Sequence, residues 1–252
     1  MTRLQGYPNF RDLGGMRAGA SCRVRHGRVF RAEAVLDPGS GDAALLEAND
    51  IRLVFDLRSS GECERAPNRF LVGLGAECLN MDLLAQLDPA SDPWLALRED
   101  STADGADTAM HALYRGLPRA VLPYAPTFLE RIADSGAPML VHCTAGKDRT
   151  GFMIALLLAA LGTDNEAIFA DYMLSASRKT AAAREATRAM IASHLGRDLS
   201  NEALDIMMGV KPTYLAASFL AIETQFGGID HYLSQLGFGT ARRASLRVQL
   251  LE

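Results

Sequence analysis

The heptapeptide Cys143-Thr-Ala-Gly-Lys-Asp-Arg149 sets a thiol and a guanidinium at the two ends of a short loop. A thiolate is a strong nucleophile, and a planar guanidinium offers a fork of donors that matches two oxygens of a phosphoryl group. Between them Thr144, Ala145, Gly146, Lys147 and Asp148 lead into the apolar run Phe152 to Leu161, which reads as a helix. The start of a helix gathers unpaired N–H groups and the positive end of the helix dipole, so a phosphate dianion fits there. The chemistry implied is attack of the Cys143 thiolate on a phosphate monoester, giving a phosphocysteine and releasing the alcohol, with water then hydrolysing the intermediate. Arg149 and the amides of Thr144 through Arg149 are expected to stabilise charge on the equatorial oxygens. Thr150 is expected to donate to the sulfur and favour its departure as thiolate. The reaction needs no metal or cofactor.

Two elements must hold such a loop. Pro138 to Val141 reads as a short buried strand that feeds it, and Gly146 allows the close backbone turn. Gly162 stops the helix that leaves it. The spacing alone is weak, because Cys22 with Arg28 and Cys63 with Arg69 repeat it. Cys22 runs into the charged alternation Arg23, Arg25, Arg28, however, and the Cys63 segment contains Pro67 and no glycine. Neither is followed by an apolar helix. A nucleotide-binding loop would need glycine at the position of Val141 and Ser or Thr at that of Asp148, so that reading fails twice. The remaining alternative, a buried small hydrophobe at Cys143 beside a solvated Lys147-Asp148-Arg149 turn, leaves the strand and helix around them unexplained.

From His142 to Gly151 the chain reads His-Cys-Thr-Ala-Gly-Lys-Asp-Arg-Thr-Gly. This resembles the cysteine-dependent tyrosine phosphatases, specifically the atypical bacterial group with the loop His-Cys-x-x-Gly-Lys-Asp-Arg-Thr-Gly. Further matches are Asn9-Phe10-Arg11-Asp12-Leu13-Gly14-Gly15, Asp56-Leu57-Arg58-Ser59, Asp171-Tyr172-Met173-Leu174, and Tyr214-Leu215 leading to Gly227-Gly228 and Tyr232-Leu233. The likeness therefore covers nearly the whole length and is weakest between residues 83 and 137. It implies a phosphatase of phosphotyrosine, and also of phosphoserine, phosphothreonine and phosphoinositides. In the group the loop aspartate is the proposed acid for the leaving oxygen, which gives Asp148 that role; Asp82 and Asp88 are its rivals. Lys147 adds a second cation beside Arg149, which suits substrates more charged than a single phosphotyrosine. Arg115 and Lys211 match basic positions that face substrate in the family. His142 is expected to hold the loop. Arg11 with Asp12, and Asp56 with Arg58, read as structural polar pairs beneath it, and Gly14-Gly15 as a turn of positive φ. A phosphoinositide or other small-molecule phosphatase is the alternative enzyme, and an inactive phosphate-binding module the alternative of another class.

Composition bounds the rest. With 252 residues, 48% apolar, the chain can bury a full core, and a single domain spanning 1–252 is expected. The longest apolar run is too short to cross a bilayer, and the first residues carry no signal-peptide core, so the expected location is cytoplasmic, signal-less export being compatible with it. Four cysteines without a Cys-x-x-Cys pair and five histidines without ligand spacing argue against a disulfide framework or zinc site. A net charge of −4 gives no general attraction to nucleic acid. The oligomeric state is not legible.

Residues 28–32 and 52–56 read as buried strands around a small helix at Ala43 to Ala48, a βαβ rhythm. The expected fold is α/β and tyrosine phosphatase-like, a partly parallel central sheet flanked by helices, with a helical C-terminal half. Between 83 and 118 the scattered Asp, Pro, Gly and Ser residues read as a mobile insertion, a possible helical lid that would tuck Leu83, Leu84, Trp94 and Leu95 to Leu97 over the site. Beyond the loop, a capping box at Thr163 to Glu166 opens a helix from Ala167 to about Ser175. Further helices run from Arg178 to about Leu195, from Ser200 to Met208, and from Pro212 to Phe226, stopped by Gly227-Gly228.

Overall fold

The computed structural model describes residues 4–177 and 181–252. Its strands are β1 (Arg11–Asp12), β2 (Arg17–Ala18), β3 (Cys22–Arg23), β4 (Val29–Ala32), β5 (Leu53–Asp56), β6 (Glu77–Asn80) and β7 (Met139–His142). Five of them make one sheet in the order β1-β4-β7-β5-β6. The edge strand β1 is antiparallel to β4, and the other pairings are parallel. Strands β2 and β3 form a separate antiparallel pair. The strands expected at 28–32 and 52–56 are β4 and β5, each one residue shorter at its start.

Side chains alternate across a strand, and here the alternation divides two cores. Leu53 and Phe55 of β5 and Met139 and Val141 of β7 face one cluster with Phe128, Phe152 and Leu156. Val54 and Leu140 face the other, with Phe10, Phe30, Leu46 and Leu71. Every residue of β4, β5 and β7 is buried, as expected of strands covered on both faces. In register, Ala32 and Asp56 flank His142, so three parallel strands end level. The chain turns out of the sheet there, at the carboxyl edge where open α/β sheets hold ligands.

The helices follow in chain order: α1 (Ser40–Ala48), α2 (Ser60–Arg65), α3 (Arg69–Gly73), α4 (Pro93–Glu99), α5 (Ala103–Val121), α6 (Ala125–Ser135) and α7 (Asp148–Leu161). After these come α8 (Asn165–Met173), α9 (Ala181–Leu195), α10 (Asn201–Met208), α11 (Pro212–Phe226), α12 (Ile229–Gln235) and α13 (Thr240–Leu250). The fold is thus the expected α/β arrangement. Ser200 caps α10 through Ala203 N at 3.1 Å, and Gly227, at φ 74°, ends α11 as expected. The cap of α8 is Asp164 instead of Thr163: its Oδ1 accepts from Ala167 N at 2.8 Å, and the helix begins at Asn165, two residues before the expected Ala167. Residues 178–180, the expected start of the following helix, lie outside the described residues.

The segment 83–118, expected as a mobile insertion and possible helical lid, is made of short helical pieces followed by a long helix. Its second half is the start of α5, a 19-residue helix with Tyr114 and Leu117 fully buried in the main core. Pro118 lies inside that helix instead of ending the segment. Proline cannot donate to the carbonyl four residues back, which is that of Tyr114, and Ser218 Oγ of α11 donates to it instead at 2.6 Å. In the first half, Leu97 joins a satellite cluster with Ile191, Leu199 and Leu204, and Trp94 stacks on His194 at 4.7 Å. Of the apolar residues assigned to a lid, Trp94 and Leu97 thus pack against α9 and α10, whereas Leu83 is buried in the main core and Leu95 is exposed.

Candidate active site

Cys143 follows the last residue of β7 and is 2% exposed. Past it, the carbonyls of Thr144, Ala145, Gly146 and Lys147 all turn away into the protein. They accept from Ala34 N at 3.2 Å, Asn9 Nδ2 at 2.8 Å, Arg31 Nη2 at 3.0 Å and Gly151 N at 2.8 Å respectively. In a trans peptide the N–H of the next residue points opposite to the carbonyl, and no described peptide is cis. The N–H groups of Ala145, Gly146, Lys147 and Asp148 are thereby turned to the inside of the loop, where they form a nest for an anion. Gly146 is required twice over. Its φ is +64°, and a Cβ there would lie 2.4 Å from the Ala32 carbonyl and from Glu33 N.

Arg149 lies in the first turn of α7. Its Nη1 donates to Leu57 O at 3.1 Å and to Glu62 Oε2 at 2.6 Å, and its Nη2 to Glu62 Oε1 at 3.1 Å. Its Nε makes no hydrogen bond among the described residues, so the protein holds one edge of the fork and leaves the other for oxygens of a ligand. Glu62 also accepts from Thr144 Oγ1 and, at 2.7 Å, from Ser59 N. Burial opposes its charge, but the Arg149 fork outweighs burial and brings its pKa down to about 2. Glu62 was not among the expected site residues. The signal that finds it is Ser59-x-x-Glu62, a capping box directly after β5, whose glutamate closes the start of α2 and grips Arg149 with the same carboxylate.

Beneath the loop, Asp56 accepts from Arg58 Nη2 at 2.7 Å and from Asn68 Nδ2 at 2.8 Å, which makes the expected structural pair. The Nε2 of His142 lies 3.8 Å from the same carboxylate. Burial pushes the His142 imidazole below its ordinary pKa of 6.5, against the pull of Asp56. Its Nδ1, 3.3 Å from Cys143 O, then serves as a donor that turns this carbonyl outward as well. Arg11 and Asp12 are not a pair. Arg11 Nε donates to Asp171 Oδ1 at 2.7 Å, and Asp12 instead accepts from the amides of Gly14 and Gly27, both at 2.9 Å. The partner of Arg11 is shared: Asp171 Oδ2 also accepts from the fully buried Arg31 at 2.5 Å, and Arg31 carries the Gly146 carbonyl. An arginine within a short buried strand was the mark of that role.

The expected site residues separate in space. Cys143 and Arg149 lie close enough to interact electrostatically, at the two ends of the loop whose amides of Ala145 to Asp148 turn inward. Lys147 is buried, and its Nζ donates to Met207 O at 2.6 Å and Gly209 O at 2.9 Å, with Asp148 Oδ2 at 3.3 Å. Asp148 accepts from Tyr114 Oη at 2.7 Å. The expected bond from Thr150 to sulfur is not formed: its Oγ1 is buried without a partner. The Gly146 carbonyl, to which a helical threonine would otherwise donate, is held by Arg31. Arg115 is exposed on α5 and makes no bond to the loop. Lys211 pairs with Asp107 at 2.5 Å. Of the rival acids, Asp82 accepts from Ser60 N at 2.8 Å and Asp88 lies 3.7 Å from Arg119.

A loop of this kind holds an oxyanion over a sulfur, and the class it defines is the cysteine-dependent phosphatases. The chain belongs to the tyrosine phosphatase family, whose profile matches residues 2–252. It is 30% identical to the triple specificity protein phosphatase PtpB of Mycobacterium tuberculosis, over 98% of each chain. A Cupriavidus necator protein provisionally assigned as a tyrosine-protein phosphatase is 32% identical over 89% of this chain and 80% of its own. A tyrosine-protein phosphatase of Nostoc commune is 26% identical over 83% of this chain and 69% of its own. Among the described residues no helix is long and apolar enough to cross a membrane.

Proposed function

We propose that the protein hydrolyses phosphotyrosine in proteins through a phosphocysteine intermediate, with Cys143 as nucleophile, Arg149 and the loop amides as the oxyanion clamp, and Asp148 as general acid. In the first step a bond forms between Cys143 sulfur and phosphorus, the bond to the ester oxygen breaks, and Asp148 gives its proton to that oxygen. Water then attacks phosphorus, the sulfur leaves as thiolate, and the proton lost by the water returns to the Asp148 carboxylate. The observation that carries this reading is the four successive outward carbonyls of Thr144 to Lys147, each with its own donor. They pre-orient the opposing amides, so that little reorganisation accompanies charge development in the transition state. The depth of Cys143 favours a substrate with a long, flat stem over a short one. The likeness of the loop to the atypical bacterial group, with a relative described as a triple specificity phosphatase, widens the panel to phosphoserine, phosphothreonine and phosphoinositides. The phosphoinositide alternative drew on Lys147 as a free second cation, and with its ammonium held by Met207 and Gly209 the protein substrate is favoured.

The test is a panel of phosphotyrosine, phosphoserine and phosphothreonine peptides and monophosphorylated inositol lipids, run in EDTA with and without vanadate. Turnover of phosphotyrosine should survive EDTA, fall with vanadate, and vanish in Cys143→Ser while Cys22→Ser and Cys63→Ser keep it. Full activity in Cys143→Ser would end the nucleophile assignment, and a requirement for a divalent ion would remove the class of mechanism.

A further inference from the structure

We propose that Tyr114, backed by Tyr172, is a positioning residue that holds the Asp148 carboxyl by one oxygen so that the other faces its proton-transfer task. This rests on the reading of Asp148 as the general acid. Tyr114 Oη donates to Asp148 Oδ1 at 2.7 Å and lies 2.8 Å from Tyr172 Oη, so three side chains from α5, α7 and α8 form one hydrogen-bonded line. With its proton directed to the carboxylate, Tyr114 accepts from Tyr172. Burial, and then the Asp148 charge, push the Tyr114 phenol well above its ordinary value of 10, and burial does the same to Tyr172. Both therefore stay protonated at any working pH, and Tyr114 cannot compete for the proton that Asp148 must carry.

Both tyrosines of the line are fixed. Tyr114 is fully buried, and its own carbonyl, freed by Pro118, is taken by Ser218. The Tyr172 ring lies against Gly151 so closely that a Cβ there would sit 2.9 Å from Cδ2. With Oδ1 held, Oδ2 is the oxygen left to carry and release a proton. Lys147 Nζ, 3.3 Å from Oδ2, then stabilises the carboxylate left behind. The preceding residue, Asp171, supports the loop through Arg31. The Asp171-Tyr172 dipeptide of α8 thus braces the loop at Gly146 and at Asp148 together.

A double-mutant cycle tests this, with kcat and KM measured for phenyl phosphate, whose leaving group is poor, and for p-nitrophenyl phosphate, whose leaving group is good. Tyr114→Phe should lower kcat for phenyl phosphate about tenfold with KM unchanged, and slow p-nitrophenyl phosphate less. Tyr172→Phe, which leaves the Tyr114 contact in place, should do the same more weakly. In the Asp148→Asn background Tyr114→Phe should have no further effect on kcat, since its route of action is gone. A full, additive loss in that background, or unchanged kcat in both single tyrosine variants, overturns the positioning role. The acid reading is judged separately from Asp148→Asn alone: equal slowing of the two substrates removes it, while the coupling in the cycle still reports whether Tyr114 acts through Asp148.

Discussion

Glu62 accepts hydrogen bonds from three groups that define the site: the Ser59 amide, Thr144 and both ends of the Arg149 fork. Its removal should matter in two distinct ways. Glu62→Gln loses the charge that fixes the fork, and misplacement of a substrate clamp by about 1 Å costs on the order of 10²-fold in rate. Steady-state kcat/KM on an aryl phosphate measures this. The second effect is on stability. The folded-state pKa near 2 lies below the ordinary value of 4.5, so the stabilisation is complete above pH 4.5 and is lost as the pH falls through 2. Urea melts at pH 6 should therefore show the variant weaker by about 2 kcal/mol, with the gap closing toward pH 2. A pH-independent gap would mean that the ion pair is not its source. The other cysteines make a further contrast. Burial, and then the Asp56 charge, push Cys63 up to about 12, and burial pushes Cys78 to about 11, so neither is a ready thiolate. Iodoacetate at pH 7 should leave both unmodified in the folded protein, as peptide mapping would reveal. The residues proposed as nucleophile, oxyanion clamp and acid, Cys143, Arg149 and Asp148, were legible as a group because they adjoin in the chain. Glu62 and Arg31 left only local marks, a capping box and an arginine in a buried strand, and Tyr114 none, because each reaches the loop through the packing of strands and helices remote in sequence.

At the scale of elements, one turn carries the arrangement. The strand β7 and the helix α7 were plain from their apolar runs, and Gly146 from its place between them. What no pattern disclosed was how closely the neighbouring strand end approaches. Ala32 and Glu33 press on Gly146, so Gly146→Ala meets both an unfavourable φ and a clash with backbone. The variant should lose more than about 2 kcal/mol in thermal or urea unfolding and bind vanadate far more weakly by calorimetry. Wild-type affinity in that variant would show that the loop relaxes without cost. The composition of 83–118 did not disclose where its helices run. Its polar residues cover short helices, whereas Pro118 lies within α5 because Ser218, a hundred residues downstream, supplies the donor that proline cannot. Propensity along the chain carries no trace of such a partner. Strand β6 was missed likewise, since its half-exposed Glu77-Cys78-Leu79-Asn80 lacks the apolar signature of the buried strands.

For the molecule as a whole, the loop is held from several directions: Asn9 and Arg31 before it, Asp171 on α8, and through Lys147 the junction between α10 and α11. Lys147→Met should lower stability by about 2 kcal/mol in urea melts, by removing the charged donor shared by Met207 O and Gly209 O. Vanadate inhibition should suffer less than in Arg149→Lys, which loses the fork. A variant equally stable but blind to vanadate would return the ammonium to the substrate side.

The carbonyl of Gly209 lies 62 residues beyond the lysine it receives. A polypeptide still emerging from the ribosome with residues 1–150 outside would already carry sulfur and guanidinium, yet lack Tyr172, Asp171 and the α10–α11 junction. Such a nascent fragment would be silent toward phosphoesters. Hydrolytic competence would then switch on late in synthesis, after the helical half has docked, so that proteolytic scraps from the front of the chain carry no stray dephosphorylating power.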